Sequence, residues 1–227
     1  MTKKQTAVGI LLAVVCLSFF PSSFPSASAN ENKTPKVAEF RYTPFEQPKV
    51  KSLAECILLL QPKQTPFVAH YIALNVLNES QAKNLDPDLV LALMFVESSF
   101  ITHSASKADA VGLMQVRYPT WKLEPELVDN GVDKRSKLYW IDLNIKCGTD
   151  ILARYYDESG KNIAKALYRY YSGDTKLAKK PWEIEYINKI MYYYYRIREH
   201  QINGTPLEQE EEGQVFAQTA HNPQHKK

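Results

Sequence analysis

Eight apolar residues in a row, Leu89-Val-Leu-Ala-Leu-Met-Phe-Val96, stand near the middle of the chain and end on an acid, Glu97. Asp86-Pro87 precedes them: an N-cap residue, then proline at the first helical position, where its missing N–H costs nothing. The pattern predicts a helix from 87 to about 98. It has no polar face, so other elements must enclose it on every side. Whatever else the chain does, it has to build its fold around this segment.

The flanking sequence supplies more helices. Over 67–83, Val68, Tyr71, Ile72 and Val76 repeat at helical spacing. Further helices are expected over 144–157, with Ile145, Ile151, Leu152 and Tyr155 inward, and over 162–170. Pro181 opens a last one to about 200, with Ile187, Ile190, Tyr194 and Ile197 as its core stripe. No segment alternates convincingly with a period of two. Glycine is scarce, 8 of 227 residues, about half the usual ~7%, which disfavours glycine-punctuated β folds. The expected class is all-α.

The ends differ from this helical body, taken as residues 67–203. Lys3 and Lys4, an apolar run over 7–20 and Ala27-Ser28-Ala29 have the form of a secretory signal peptide, residues 1–29, cut after Ala29. The apolar run is short of the ~20 residues a membrane span needs; an uncleaved anchor is the alternative. The protein is thus expected to be exported, to the periplasm or cell envelope. Loss of the two lysines takes the formal charge from +3 to +1, too little for a nucleic-acid footprint. Residues 30–66 are expected to be an arm, because Pro35, Pro44, Pro48, Pro62 and Pro66 interrupt any long helix. The apolar stretch 53–60 within it is a candidate to pack on the domain. Residues 204–227 read as a polar tail. Cys56 and Cys147 remain after cleavage; in an oxidising compartment they could form one disulfide or stay as two buried thiols.

Glu97 is where chemistry is expected. Desolvation next to eight apolar residues raises a carboxyl's pKa, and the negative end of the helix dipole disfavours the anion further. Both favour a carboxyl protonated near neutral pH, as a general acid must be. The competing explanation is a structural Glu neutralised by an arginine. No phosphate loop, zinc-ligand spacing or Ser/His/Asp set accompanies it, so no metal or cofactor is expected. His70, His103 and His200 stand alone in the sequence.

Glu97-Ser98 closes the buried helix, and Ser104-Ala-Ser106-Lys-Ala-Asp109-Ala-Val-Gly112-Leu-Met-Gln115 follows. Asn144-Ile145-x-x-Gly148 and Ala166-Leu167-x-x-Tyr170-x-x-Gly173 complete four blocks in order. In these blocks the chain resembles the family 1 lytic transglycosylases, whose fold is lysozyme-like (goose-type lysozyme/SLT). Asp109 stands where the family has Gly, and Tyr171 where it has Asn. Asp tolerates the left-handed backbone region better than most residues, so the Asp109 turn can survive.

The resemblance implies cleavage of the β-1,4 bond between N-acetylmuramic acid and N-acetylglucosamine in peptidoglycan glycan strands, leaving a 1,6-anhydromuramoyl end. Glu97 would be the single acid/base; Ser106 and Gln115 would contact sugar polar groups, and Tyr170 would lie close to Glu97. Gly112, Gly148 and Gly173 are expected to shape the backbone. Two alternatives stay open: a hydrolytic muramidase of the same fold, with Asp109 the one nearby second carboxylate, or a non-catalytic wall-binding or secretion-apparatus protein.

Overall fold

The structure, a computed structural model, describes residues 44–173 and 181–207. The expected signal peptide and most of the tail lie outside these residues. The chain enters by a 3-10 turn, Pro44–Glu46, and then forms α1 (Pro48–Leu60), α2 (Pro66–Ala82) and α3 (Pro87–Ser98). A short hairpin of β1 (Ala110–Val111) and β2 (Val116–Arg117) comes next, followed by two single-turn helices, α4 (Tyr118–Trp121) and α5 (Pro125–Val128). A 3-10 turn over Arg135–Tyr139 leads to α6 (Ile141–Glu158), α7 (Ile163–Ser172) and α8 (Pro181–Asn203).

The apolar helix is the hub. In α3 every residue from Asp88 to Phe95 is buried, enclosed by α8, α2 and α1. α6 packs on α2 and α7, and α7 on α8. The starts are set locally: Thr65, Asp86 and Asn162 each accept a hydrogen bond from the first turn of α2, α3 and α7, and prolines occupy the opening positions of α2 and α3. Gly173 ends α7 at φ +66°, the usual C-terminal left-handed residue. On α8 the buried stripe is Ile190, Tyr193 and Ile197; the expected Ile187 and Tyr194 are only partly buried.

Two expectations change. The segment read as a proline-broken arm contains a core helix. Pro48 begins α1 and Pro62 follows its end, so the prolines delimit a 13-residue helix. Its Val50, Leu53, Ala54, Cys56, Ile57 and Leu60 are fully buried. A clasp holds it in place: Lys49 donates to Asp88 of α3 at 2.7 Å and to Gln201 of α8 at 2.7 Å. Second, the all-α body carries a two-stranded antiparallel hairpin, Ala110 opposite Arg117 and Val111 opposite Val116. Two residues per strand cannot show a period of two, which is why alternation could not reveal it. Cys56 and Cys147 are both buried and unpaired.

Candidate active site

α3 stops abruptly. Ser99 and Phe100 take consecutive left-handed conformations, φ +49° and +59°, which non-glycine residues adopt only where the surroundings enforce them. Phe100 is fully buried and packs against Phe95 at 5.5 Å between ring centroids. The side-chain amides of Gln61 and Gln64, between α1 and α2, donate to the carbonyls of Ser99 (2.9 Å) and Phe100 (3.0 Å). Ser98 Oγ donates to Leu113 O at 2.8 Å, tying the helix end to the hairpin turn. The acid is thus presented from a corner braced on two sides.

The hairpin turn is built to meet it. Gly112 (φ +78°) and Gln115 (φ +49°) turn the chain. Gln115 Nε2 donates back to Gly112 O at 2.8 Å. Asn144 of α6, 1% exposed, accepts from Met114 N at 2.7 Å and donates to Val111 O and Leu138 O at 2.9 and 2.8 Å. Gly148, one turn along α6, leaves the room that Met114 fills: a Cβ there would lie 2.5 Å from Met114 Sδ. Asp109 does adopt the left-handed region, φ +62°.

These elements enclose a cleft of about 370 Å³. Glu97, Ser106, Gln115 and Tyr170 all line it, so the structure brings the four sequence-predicted site residues to one place. The walls add Arg117, Thr120, Trp121, Tyr155 and the stretch 171–173. Glu97 is the one carboxylate among the described lining residues. Asp109 is directed elsewhere, exposed and 3.6 Å from Arg135.

Glu97 is partly buried, and burial lifts its carboxyl from 4.5 to about 7. Among the described residues its partner is not an arginine. Tyr186 of α8 donates its hydroxyl to Glu97 Oε1, which opposes the rise by favouring the anion. Tyr170 is tied differently: its hydroxyl donates to Met114 O at 2.8 Å, so it faces the acid's surroundings without bonding to the carboxylate. Burial first, and the nearby Glu97 charge second, keep both phenols well above their ordinary range. They serve as donors, not as bases. Ser106 Oγ accepts from Ala108 N and Ala110 N at 3.2 and 3.1 Å, which leaves its hydroxyl proton free to face the cleft. The histidines have local partners: His70 meets Pro66 O, His103 stacks on Tyr139, and His200 meets Thr205 O.

Sequence reasoning missed Tyr186. The signal was present: Tyr186, Ile190, Tyr193 and Ile197 follow the 4-3-4 spacing of one helix face. Choosing Ile187 for the stripe turned that face by one residue.

A helical domain around a buried helix, with one carboxylate in a cleft beside a small hairpin, is a lysozyme-like architecture. Residues 75–184 match the family model described as the transglycosylase SLT domain. Among curated proteins, the chain is similar to the membrane-bound lytic murein transglycosylase C of Photorhabdus laumondii, 34% identical over 93 residues, 39% of this chain and 25% of that one. The protein of the same name from Edwardsiella ictaluri is 35% identical over 96 residues, 41% of this chain and 27% of that one. The chain thus spans about a quarter of the length of the curated relatives it matches. Among solved structures, the inactive mutant of lytic transglycosylase Slt from Pseudomonas aeruginosa shares the fold, with a TM-score of 0.51 at 19% identity over 60% of this chain and 25% of that one.

Proposed function

We propose that the protein is a peptidoglycan lytic transglycosylase that cuts the β-1,4 bond between N-acetylmuramic acid and N-acetylglucosamine, acts in the cell envelope, and works with Glu97 alone as acid and base. The observation that carries this reading is the solitary carboxyl in the cleft, lifted to about 7 and held by Tyr186. A group poised near neutrality can both give and take a proton.

In the proposed sequence Glu97 protonates the bridging glycosidic oxygen as the C1–O bond breaks. The muramic acetamido oxygen shields the developing cation at C1. The ionised Glu97 then takes the proton of the C6 hydroxyl while O6 bonds to C1. The proton lost in the first step is recovered in the second, and no water is consumed. Gln115 and Ser106 would hold sugar polar groups, while Trp121 and Tyr155 offer apolar faces to the rings. An inverting hydrolase needs a second carboxyl ~6.5–9.5 Å away to activate water; against that reading, Asp109 is not among the residues lining the cleft and is paired with Arg135.

Mass spectrometry of peptidoglycan digested by the purified protein tests the assignment. Anhydromuramoyl ends are expected; reducing ends would indicate the hydrolase, and absence of fragments a non-catalytic wall protein. Glu97→Gln should abolish release of fragments.

A further inference from the structure

Tyr171 is the residue at which this chain departs from the block it otherwise resembles, with an aromatic ring where the family has Asn. It lies in the last turn of α7, beside Tyr170, and 47% of it is exposed. Its ring packs on the ring of Tyr186, with centroids 4.5 Å apart and planes tilted by 33°. Tyr186 is the residue whose hydroxyl donates to Glu97 Oε1. The two neighbouring tyrosines of α7 therefore have separate partners: Tyr170 anchors the Met114 turn, and Tyr171 braces the ring that reaches the carboxylate. An aromatic pair at this distance contributes about 0.5–1.5 kcal/mol beyond simple burial, enough to bias a phenol between two orientations.

We propose that Tyr171 is a positioning residue: by holding the Tyr186 ring it keeps that hydroxyl on Glu97, and an Asn at this position could not do so through stacking. The proposal rests on Glu97 being the acid. Glu97 is faced by Tyr186 from α8 and Tyr170 from α7 and has no ion pair among the described residues; Arg117 of β2 lines the same cleft.

The test is the pH profile of anhydromuropeptide release from purified glycan strands. The alkaline limb reports loss of the proton from the acid. Tyr186→Phe removes a hydrogen bond to the anion and should move this limb upward. Tyr171→Ala should move it upward too, and lower kcat roughly tenfold, well short of the ~10²–10⁴ a general acid supplies. Tyr171→Phe, which keeps the ring, should retain the wild-type limb. In a Tyr186→Phe background, Tyr171→Ala should add no further limb shift. A drop in kcat with the limb unmoved, or a limb shift that persists without the Tyr186 hydroxyl, overturns the proposal. Circular dichroism and thermal melting identify folded variants; if Tyr171→Ala does not fold, Tyr171→Leu takes its place with the same expected shift. Full activity of Glu97→Gln would instead overturn the assignment of the acid, a separate result from an unmoved limb.

Discussion

Asn144 fits against Gly112 so closely that a Cβ on the glycine would come within 2.4 Å of Asn144 Nδ2 and 2.5 Å of Leu138 O. The amide uses this proximity to bind three backbone groups of two segments. The hairpin that carries Gln115 into the cleft is thereby fastened to α6. Truncating Asn144 to Ala would leave Met114 N, Val111 O and Leu138 O buried without it, at about 1–3 kcal/mol for each such group. Urea denaturation should show a loss of several kcal/mol, and the folded fraction should release fragments slowly because Gln115 is no longer held. Gly148→Ala should also destabilise, by about 1–3 kcal/mol or more, because the added Cβ would lie 2.6 Å from Met114 Cβ, which moves only with the backbone, as well as 2.5 Å from the flexible Sδ. A Gly148→Ala variant as stable as wild type would contradict this close approach.

The helix α1 is predicted to be indispensable to the domain. Ile57 is fully buried, and cutting a buried isoleucine to alanine costs about 2–5 kcal/mol. The melting temperature of Ile57→Ala should fall by several degrees. An arm resting on a self-sufficient domain would leave it nearly unchanged. Gln61→Ala should have a smaller effect on melting but should lower activity, because the carbonyl of Ser99 beside the acid loses its donor.

Glu97 makes stability depend on pH in a defined direction. Below 4.5 both folded and unfolded states hold the proton, and the group contributes nothing. Between 4.5 and about 7 the unfolded chain releases the proton while the folded one keeps it, so stability falls as pH rises through this window. Above it the penalty is constant. Glu97→Gln removes the effect, and its stability relative to wild type should rise by on the order of 1–3 kcal/mol between pH 4.5 and 7. Denaturant titrations at the two pH values measure it; a difference that does not change with pH would contradict the burial of this carboxyl.

Cys56 and Cys147 are predicted to be inert thiols. Burial pushes them up to about 11 and about 12, and the reactive form is the thiolate. A thiol reagent at pH 8 should modify them only on unfolding, and a reductant should leave the melting temperature of the domain unchanged. Rapid labelling of the folded protein, or a melt that falls with reductant, would speak against two separate buried thiols.

The body of the fold was legible because its causes are local. Asp86-Pro87 and Pro181 mark helix starts in the sequence, and the apolar run before Glu97 demanded enclosure whatever enclosed it. The same run made Glu97 conspicuous, since a carboxyl beside eight apolar residues is costly to ionise. Ser106, Gln115 and Tyr170 became visible only through the resemblance, because a serine in a loop or a tyrosine in a tyrosine-rich helix carries no chemistry by its spacing.

What the sequence determined by itself was five of the helices, α2, α3, α6, α7 and α8, and the one acid. Tertiary structure decided what holds that acid. Tyr186 lies 89 positions from Glu97, and their meeting depends on the way α8 crosses α3. The same applies to α1, whose prolines look like breaks until packing shows them to be boundaries, and to the hairpin, whose strands are too short to show a period and exist because Asn144 fastens them. Local propensity acts over a few residues, whereas the charge state of a carboxyl depends on whatever the fold places around it.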